Sequence, residues 1–100
     1  MSTESIFIAA IHARRRLAIR YSPGDRVIEP HAIGVGSSGQ ILIRAFQTEC
    51  VSASGKHVNW KLLRLDRVEL ISDTEQVFAG PRPQYKRGDR AMTRGIISEL

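Results

Sequence analysis

At Arg15 the hydrophobic pattern of this chain changes period, and that change limits the fold more than any other feature. Before it, Ser2, Thr3, Glu4 and Ser5 can cap a helix start, and Ile6, Phe7, Ala10, Ile11 and Arg14 share one helical face. This predicts a short amphipathic helix over residues 3–13. After Arg15 the period is two: Leu17, Ile19 and Tyr21 point one way, and Arg16, Ala18, Arg20 and Ser22 the other. "SPGD" (22–25) supplies a turn. "RVIEPHAIGV" reads as a second strand with Val27, Ile33 and Val35 on one face. Pro30 lacks an amide donor, so it requires an edge or a bulge. "GSSG" (36–39) is a turn, "QILIRAFQ" (40–47) a strand, and "TECVSASGKH" a polar hairpin tip. "VNWKLLRLDRVELIS" (58–72) is strand-like and broken near Asp66. Its Trp60, Leu62 and Arg64 face one side, and Lys61, Leu63 and Leu65 the other. Beyond Val77 and Phe78, "AGPRPQYKRG" is extended. Asp89 then caps a last predicted helix, in which Met92, Ile96 and Leu100 repeat at four-residue spacing.

Helix, about five short strands, an extended segment and a helix make a mainly β chain with flanking helices. Short strands with tight turns favour a small five-stranded β-barrel over a layered α/β fold. The expected organisation is a single domain over 1–100, with helix 3–13, barrel 15–72, and a C-terminal extension and helix 77–100. With 100 residues, 42% of them hydrophobic, the core is adequate but too small for a deep pocket with a buried catalytic apparatus. The net charge of +5 favours anionic partners. One cysteine, Cys50, allows neither an intrachain disulfide nor a cysteine-based zinc site. "MSTESIFIAAIHARRR" has its apolar run before its basic run, the reverse of a secretory signal. No stretch approaches the roughly 20 apolar residues of a membrane span. The expectation is a cytoplasmic protein without membrane contact.

Three segments, in this order, resemble the WYL domain, the Sm-like, SH3-type β-barrel of many bacterial regulators. "RRRLAIRYSPGDRVIEP" (14–30) is similar to the family's opening strand, glycine turn and following Arg-Val-x-Pro strand. "GQILIRAFQ" (39–47) occupies the place of the name-giving motif. "WKLLRLDRVELI" (60–71) resembles the Arg-x-Phe-Arg-Leu-Asp-Arg-Ile segment. "FAGPRPQYKRGDRAM" (78–92) resembles the C-terminal extension of short stand-alone members. The Trp-Tyr-Leu triplet itself is replaced by Ile41, Leu42 and Ile43, which keeps the hydrophobicity but loses a hydroxyl and an indole. The resemblance places Arg26, Lys61, Arg64 and Arg67 on the family's basic positions. Family members usually follow a helix-turn-helix domain, and 13 residues before the barrel cannot hold one. The resemblance therefore implies a regulatory sensor or accessory module, working with a separate DNA-binding or effector protein.

Arginine's planar fork suits phosphate or carboxylate, so Arg26, Lys61, Arg64 and Arg67 converging on one rim would make an anion pocket. Equally, Arg64 and Arg67 could pair with Asp66, Glu69 and Glu29 and serve only solubility. Tyr21 either faces a ligand, as the resemblance implies, or lies in the core with its hydroxyl at the rim. Trp60 is open between a stacking platform and core, while Phe46 is assigned to the core. Arg14, Arg15, Arg16 and Arg20 form a basic patch suited to phosphate contacts, or a solvated face that protects an edge strand. Arg82, Lys86, Arg87, Arg90 and Arg94 could extend it.

Catalytic groups are sparse. His12, His31 and His57 show no metal-ligand spacing, and Glu49 disfavours a Cys50 thiolate. "GVGSSG" lacks the Lys-Ser/Thr and helix of a phosphate loop. The reading is a non-enzymatic module, without cofactor or metal, that binds nucleic acid, a nucleotide or another small anionic ligand. Its alternative is a protein–protein interaction or oligomerisation module, in which Met92, Ile96, Ile97 and Leu100 of the last helix form a homodimer face.

Overall fold

Ser2 opens the one α-helix among the described residues. The structure, a computed structural model, describes residues 2–21, 24–50 and 59–100, with the backbone alone for Glu49, Cys50 and Leu70. The hairpin tip expected up to His57 lies, from Val51 on, outside the described residues, as do Ser22 and Pro23 of the SPGD turn. The Ser2 hydroxyl accepts the Ser5 N–H at 3.1 Å, and Glu4 sits in the first turn of α1 (Thr3–Ala13), where the positive helix end favours it. Arg14, at φ 54° and ψ 49°, ends the helix by turning its N–H back to the Ile11 carbonyl. Phe7, Ala10 and Ile11, at the spacing of one helical face, are buried.

Six strands follow among the described residues: β1 (Arg15–Tyr21), β2 (Gly24–Val35), β3 (Ile41–Cys50), β4 (Asn59–Arg64), β5 (Leu70–Val77) and β6 (Gly95–Glu99). They form one antiparallel sheet in the order β4-β3-β2-β1-β5, with β6 beside β2. A 3-10 turn, Leu65–Arg67, divides β4 from β5, which is the expected break near Asp66. The β2–β3 hairpin is closed by the Gly36 N–H to the Gln40 carbonyl at 2.8 Å. Gly39 takes the left-handed position of this loop at φ 80°. Among the described residues no ladder joins β4 to β5, so the sheet is open where the sequence suggested a barrel.

The twelve residues of β2 organise both faces. One edge of β2 pairs with β3 along most of its length, while the other is shared between β1, opposite Gly24–Ile28, and β6, opposite Ala32–Val35. Pro30 sits at a register shift between Pro30 and Ala32, a bulge in an interior strand. The extra residue inverts the side-chain alternation. Ile28 and Ile33, five apart, therefore both enter the α1 core, with Leu17, Ile19, Ile43, Ala45 and Leu63. Val27, expected to share a face with Ile33 and Val35, is carried to the opposite face with Ala18.

The second expected helix does not form. Residues 78–94 are an irregular strap across the face opposite α1, and Gly95–Glu99 is a strand. β1 has ended before it reaches Ala32, so that stretch of the β2 edge offers unpaired backbone groups, and β6 satisfies them. Gly95, at φ 130°, has no helical conformation. Asp89 caps no helix; it accepts the Ala91 N–H in a turn. Met92 is buried with Ala32 and Leu42, Ile96 packs on that cluster, and Leu100 packs on the α1 core. A Cβ at Gly34 would lie 2.6 Å from the Gly95 backbone carbonyl oxygen and from the Met92 sulfur, so only glycine allows this approach. The proposed dimer face thus loses its helix, and only Ile97 of its four residues is exposed. No helix among the described residues is long and apolar enough to cross a membrane.

Candidate functional site

The alternation of β1 to β4 distributes the charged side chains between two faces. On the α1 face, at the end remote from the GSSG turn, Arg26 lies over the Tyr21 ring at 5.2 Å. Its guanidinium donates to the Tyr21 carbonyl and the Gln47 amide oxygen, both at 3.2 Å. Tyr21 is half-buried on the core, and its hydroxyl accepts the Arg64 backbone N–H at 3.2 Å. Lys61 opposes Ala45 on this face. Arg64 opposes Leu42 on the other face, and its side chain reaches Asp66 at 2.8 Å. The structure thus brings Tyr21 and Arg26 together with Lys61 on the same face, turns the Arg64 side chain away, and leaves Arg67 exposed on the 3-10 turn.

The expected basic patch is mostly neutralised. Arg16 and Arg20 do share the strap face, but Arg16 meets Glu29 at 2.8 Å and Arg20 meets Asp25 at 3.0 Å. Arg15 pairs with Asp73 and Arg87 with Glu99, each at 3.3 Å. Arg14 is the exposed helix cap. Lys61, Arg67, Lys86, Arg90 and Arg94 make no ion pair or side-chain hydrogen bond among the described residues.

Glu29, expected near Arg64 and Arg67, instead lies fully buried beneath the strap. Arg82 grips both its carboxylate oxygens, at 2.7 and 2.9 Å, and Arg16 donates from β1. Burial pushes this carboxyl up, but the hydrogen bonds and charges of Arg82 and Arg16 outweigh it and hold it below the usual carboxylate range. His31 is also fully buried. Its Nε2 accepts the Arg82 backbone N–H at 3.1 Å, so Nδ1 carries the hydrogen and donates to the Glu29 carbonyl at 2.7 Å. Burial lowers the His31 pKa and keeps the ring neutral. Its ring touches Trp60, Phe78 and Tyr85. Arg82 covers Phe46 at 4.6 Å. These contacts fasten the strap to the sheet.

Next to this knot a cleft of about 620 Å³ opens between the strap and the outer side of β3 and β4. Trp60 and Tyr85 line it, 6.0 Å apart with their planes within 21°. Trp60 is held by its indole N–H to the Pro83 carbonyl at 3.2 Å, and Tyr85 by its hydroxyl to the His31 carbonyl at 3.3 Å. Arg44 forms a two-pronged pair with Asp89 at 2.6 and 3.2 Å, which keeps the Asp89 carboxyl below its ordinary range. Lys86, Arg87 and Arg90 complete the basic lining. Sequence reasoning named neither Arg44 nor Tyr85. The available signal was that Arg44 shares with Leu42 and Phe46 the face of β3 opposite α1, where Phe46, assigned to the core, lies half-buried against Trp60 and Arg82. A smaller cavity of about 480 Å³ lies between Arg16 and residues 78–83.

Of the other candidates, His12 on α1 exchanges a hydrogen bond with Ser98 at 3.1 Å, far from buried His31. His57 lies outside the described residues. The fold is similar to part of proteasome accessory factor B/C (PafBC) of Arthrobacter aurescens, with a TM-score of 0.65 and 22% identity over 85% of this chain. The matched region is 13% of that protein's chain. No protein-family model and no curated protein matches the sequence.

Proposed function

We propose that this chain is a non-enzymatic regulatory or sensor module that binds an anionic ligand, a nucleic-acid segment or a nucleotide. The likeness in fold to PafBC, which contains a WYL domain, supports the regulatory part of the reading. One observation carries the anion-binding part: carboxylates neutralise the arginines of β1, while Lys61, Arg67, Lys86, Arg90 and Arg94 have no acidic partner among the described residues. Lys61 and Arg67 belong to the Tyr21–Arg26 end, and Lys86, Arg90 and Arg94 follow the strap. Much of the net charge of +5 is therefore available to a phosphate backbone or headgroup. In this reading Tyr21, Arg26, Lys61 and Arg67 contact the ligand, Arg64 borders it through its backbone link to Tyr21, and Arg14 and Arg87 add outlying charge. A separate DNA-binding or effector protein would receive the signal.

The test is fluorescence anisotropy of a labelled single-stranded oligonucleotide, titrated across salt concentration. The expected result is binding whose logarithm falls linearly with log salt. Replacing Arg26, Lys61 and Arg67 together by alanine, in a variant shown to be folded, should weaken it. An oligonucleotide that fails to bind even at low salt would refute the nucleic-acid form of the reading. The assembly alternative has lost the helix on which it rested, and sedimentation at high concentration tests it directly.

A further inference from the structure

The cleft beneath the strap is absent from the reading of the rim and has a composition of its own. We propose that it is a nucleotide-unit site: a base lies on the Trp60–Tyr85 wall while its phosphate meets Lys86 and Arg90. The inference rests on the function proposed above and moves the main recognition from the Tyr21–Arg26 end to the opposite face of the sheet.

Three features carry it. The first is charge. Arg44, Lys86, Arg87 and Arg90 line the cleft against one carboxylate, Asp89, which is already engaged by Arg44 and by the Ala91 N–H. Asp89 thus leaves Lys86 and Arg90 unneutralised, and Arg87 is held only by a 3.3 Å contact to Glu99 with most of its side chain in solvent. The second is the wall. Two near-parallel aromatic rings, stacked 6.0 Å apart, line the cleft, and base–aromatic stacking on such a ring tolerates any base. Both rings are pinned by hydrogen bonds to backbone carbonyls, so little side-chain freedom remains to be lost on binding. The third is size. About 620 Å³ falls within the range of small-ligand sites and suits one nucleotide rather than a duplex.

A free nucleotide and one unit of a single strand share this chemistry, and the experiment separates them. Trp60 is the only tryptophan in the chain, so its fluorescence reports on this cleft alone. The protein is titrated with labelled oligothymidylate while label anisotropy and Trp60 emission are read together. A parallel titration uses thymidine 5′-monophosphate. Quenching of Trp60 along the same isotherm as the anisotropy supports the site with a strand as its ligand. Quenching by the mononucleotide without oligonucleotide binding supports the site with a free nucleotide as its ligand.

Two variants sharpen the result. Lys86→Gln with Arg90→Gln removes charges that hold no structural contact, and it should weaken binding at least about tenfold at low salt, as loss of phosphate contacts does. Tyr85→Leu keeps an apolar side chain and should weaken binding about five- to hundredfold, the effect of one lost stacking contact. Anisotropy that rises without any change in Trp60, or that is unaffected by the Lys86/Arg90 variant, overturns the cleft and leaves the proposed function standing. Silence of both probes at low salt overturns both.

Discussion

The two faces of this sheet are closed in different ways. Against one lies α1, whose backbone hydrogen bonds are satisfied within the helix, so it needs only Phe7, Ala10 and Ile11 to meet aliphatic residues of β1 to β4. Against the other lies the strap, which has no ladder of its own and must borrow partners. Arg82 gives its N–H to a histidine ring, Gly88 gives its own to the Glu99 carboxylate, and the Pro83 carbonyl takes the Trp60 indole. The polarity of the second face is thus a consequence of covering a sheet with irregular chain. The same polarity leaves a basic, aromatic cleft there, while beneath α1 the sheet is closed by apolar side chains.

If the comparison is right, damage to the two faces should differ in kind as well as in size. The largest effect belongs to the helix-covered face: Phe7→Ala should cost about 3–5 kcal/mol and lower the urea midpoint for the whole sheet. Glu29→Ala should come next, at the lower end of about 3–5 kcal/mol, because the half-exposed Arg16 and Arg82 can rehydrate once the buried carboxylate is gone. Amide exchange should then speed up at Arg82 and Tyr85 while Leu17 stays protected. Equal acceleration at all three would show that strap and sheet open as one unit.

Acid should act on the strap face first. The unfolded chain protonates His31 near 6.5 while the folded chain resists, so stability falls as pH drops below 6.5. Glu29, whose pKa is lowered from 4.5, adds a further loss only at more acid pH, as it is protonated. His31→Asn should flatten the first phase in denaturant midpoints measured against pH. If the slope persists, the titrating group lies elsewhere. Smaller still, Ser2→Ala should cost about 1 kcal/mol of helix capping, read from thermal unfolding. Arg20→Ala should change the midpoint least, since an exposed pair contributes roughly 0–1 kcal/mol.

The helix over 3–13 and β1 were legible because their periods are uninterrupted and the burial follows them. The faces of β4 were legible too: Leu63 is buried and Trp60 lies opposite, as the alternation required. Pro30 required an edge or a bulge without deciding between them, and no local pattern says that residues 28 and 33 share a face. Met92, Ile96 and Leu100 misled because three apolar residues at spacing four also suit a turn followed by a strand. What decided between them was an unpaired edge of β2, some sixty residues earlier in the chain. The candidate site was visible as a list of cations and hidden as a geometry. Whether an arginine is free depends on which carboxylate faces it across a ladder.

By itself, then, the sequence determined the local terms: one short helix, a run of strands with their turns, and an excess of positive charge. These follow from side-chain period, capping and composition, which act within a few residues. The tertiary structure alone decided that the C-terminus becomes β6, that Glu29 and His31 are buried under Arg82, and that Trp60 and Tyr85 line a basic cleft. Each depends on groups far apart in the chain meeting to satisfy hydrogen bonds or charge, and no local pattern records such meetings.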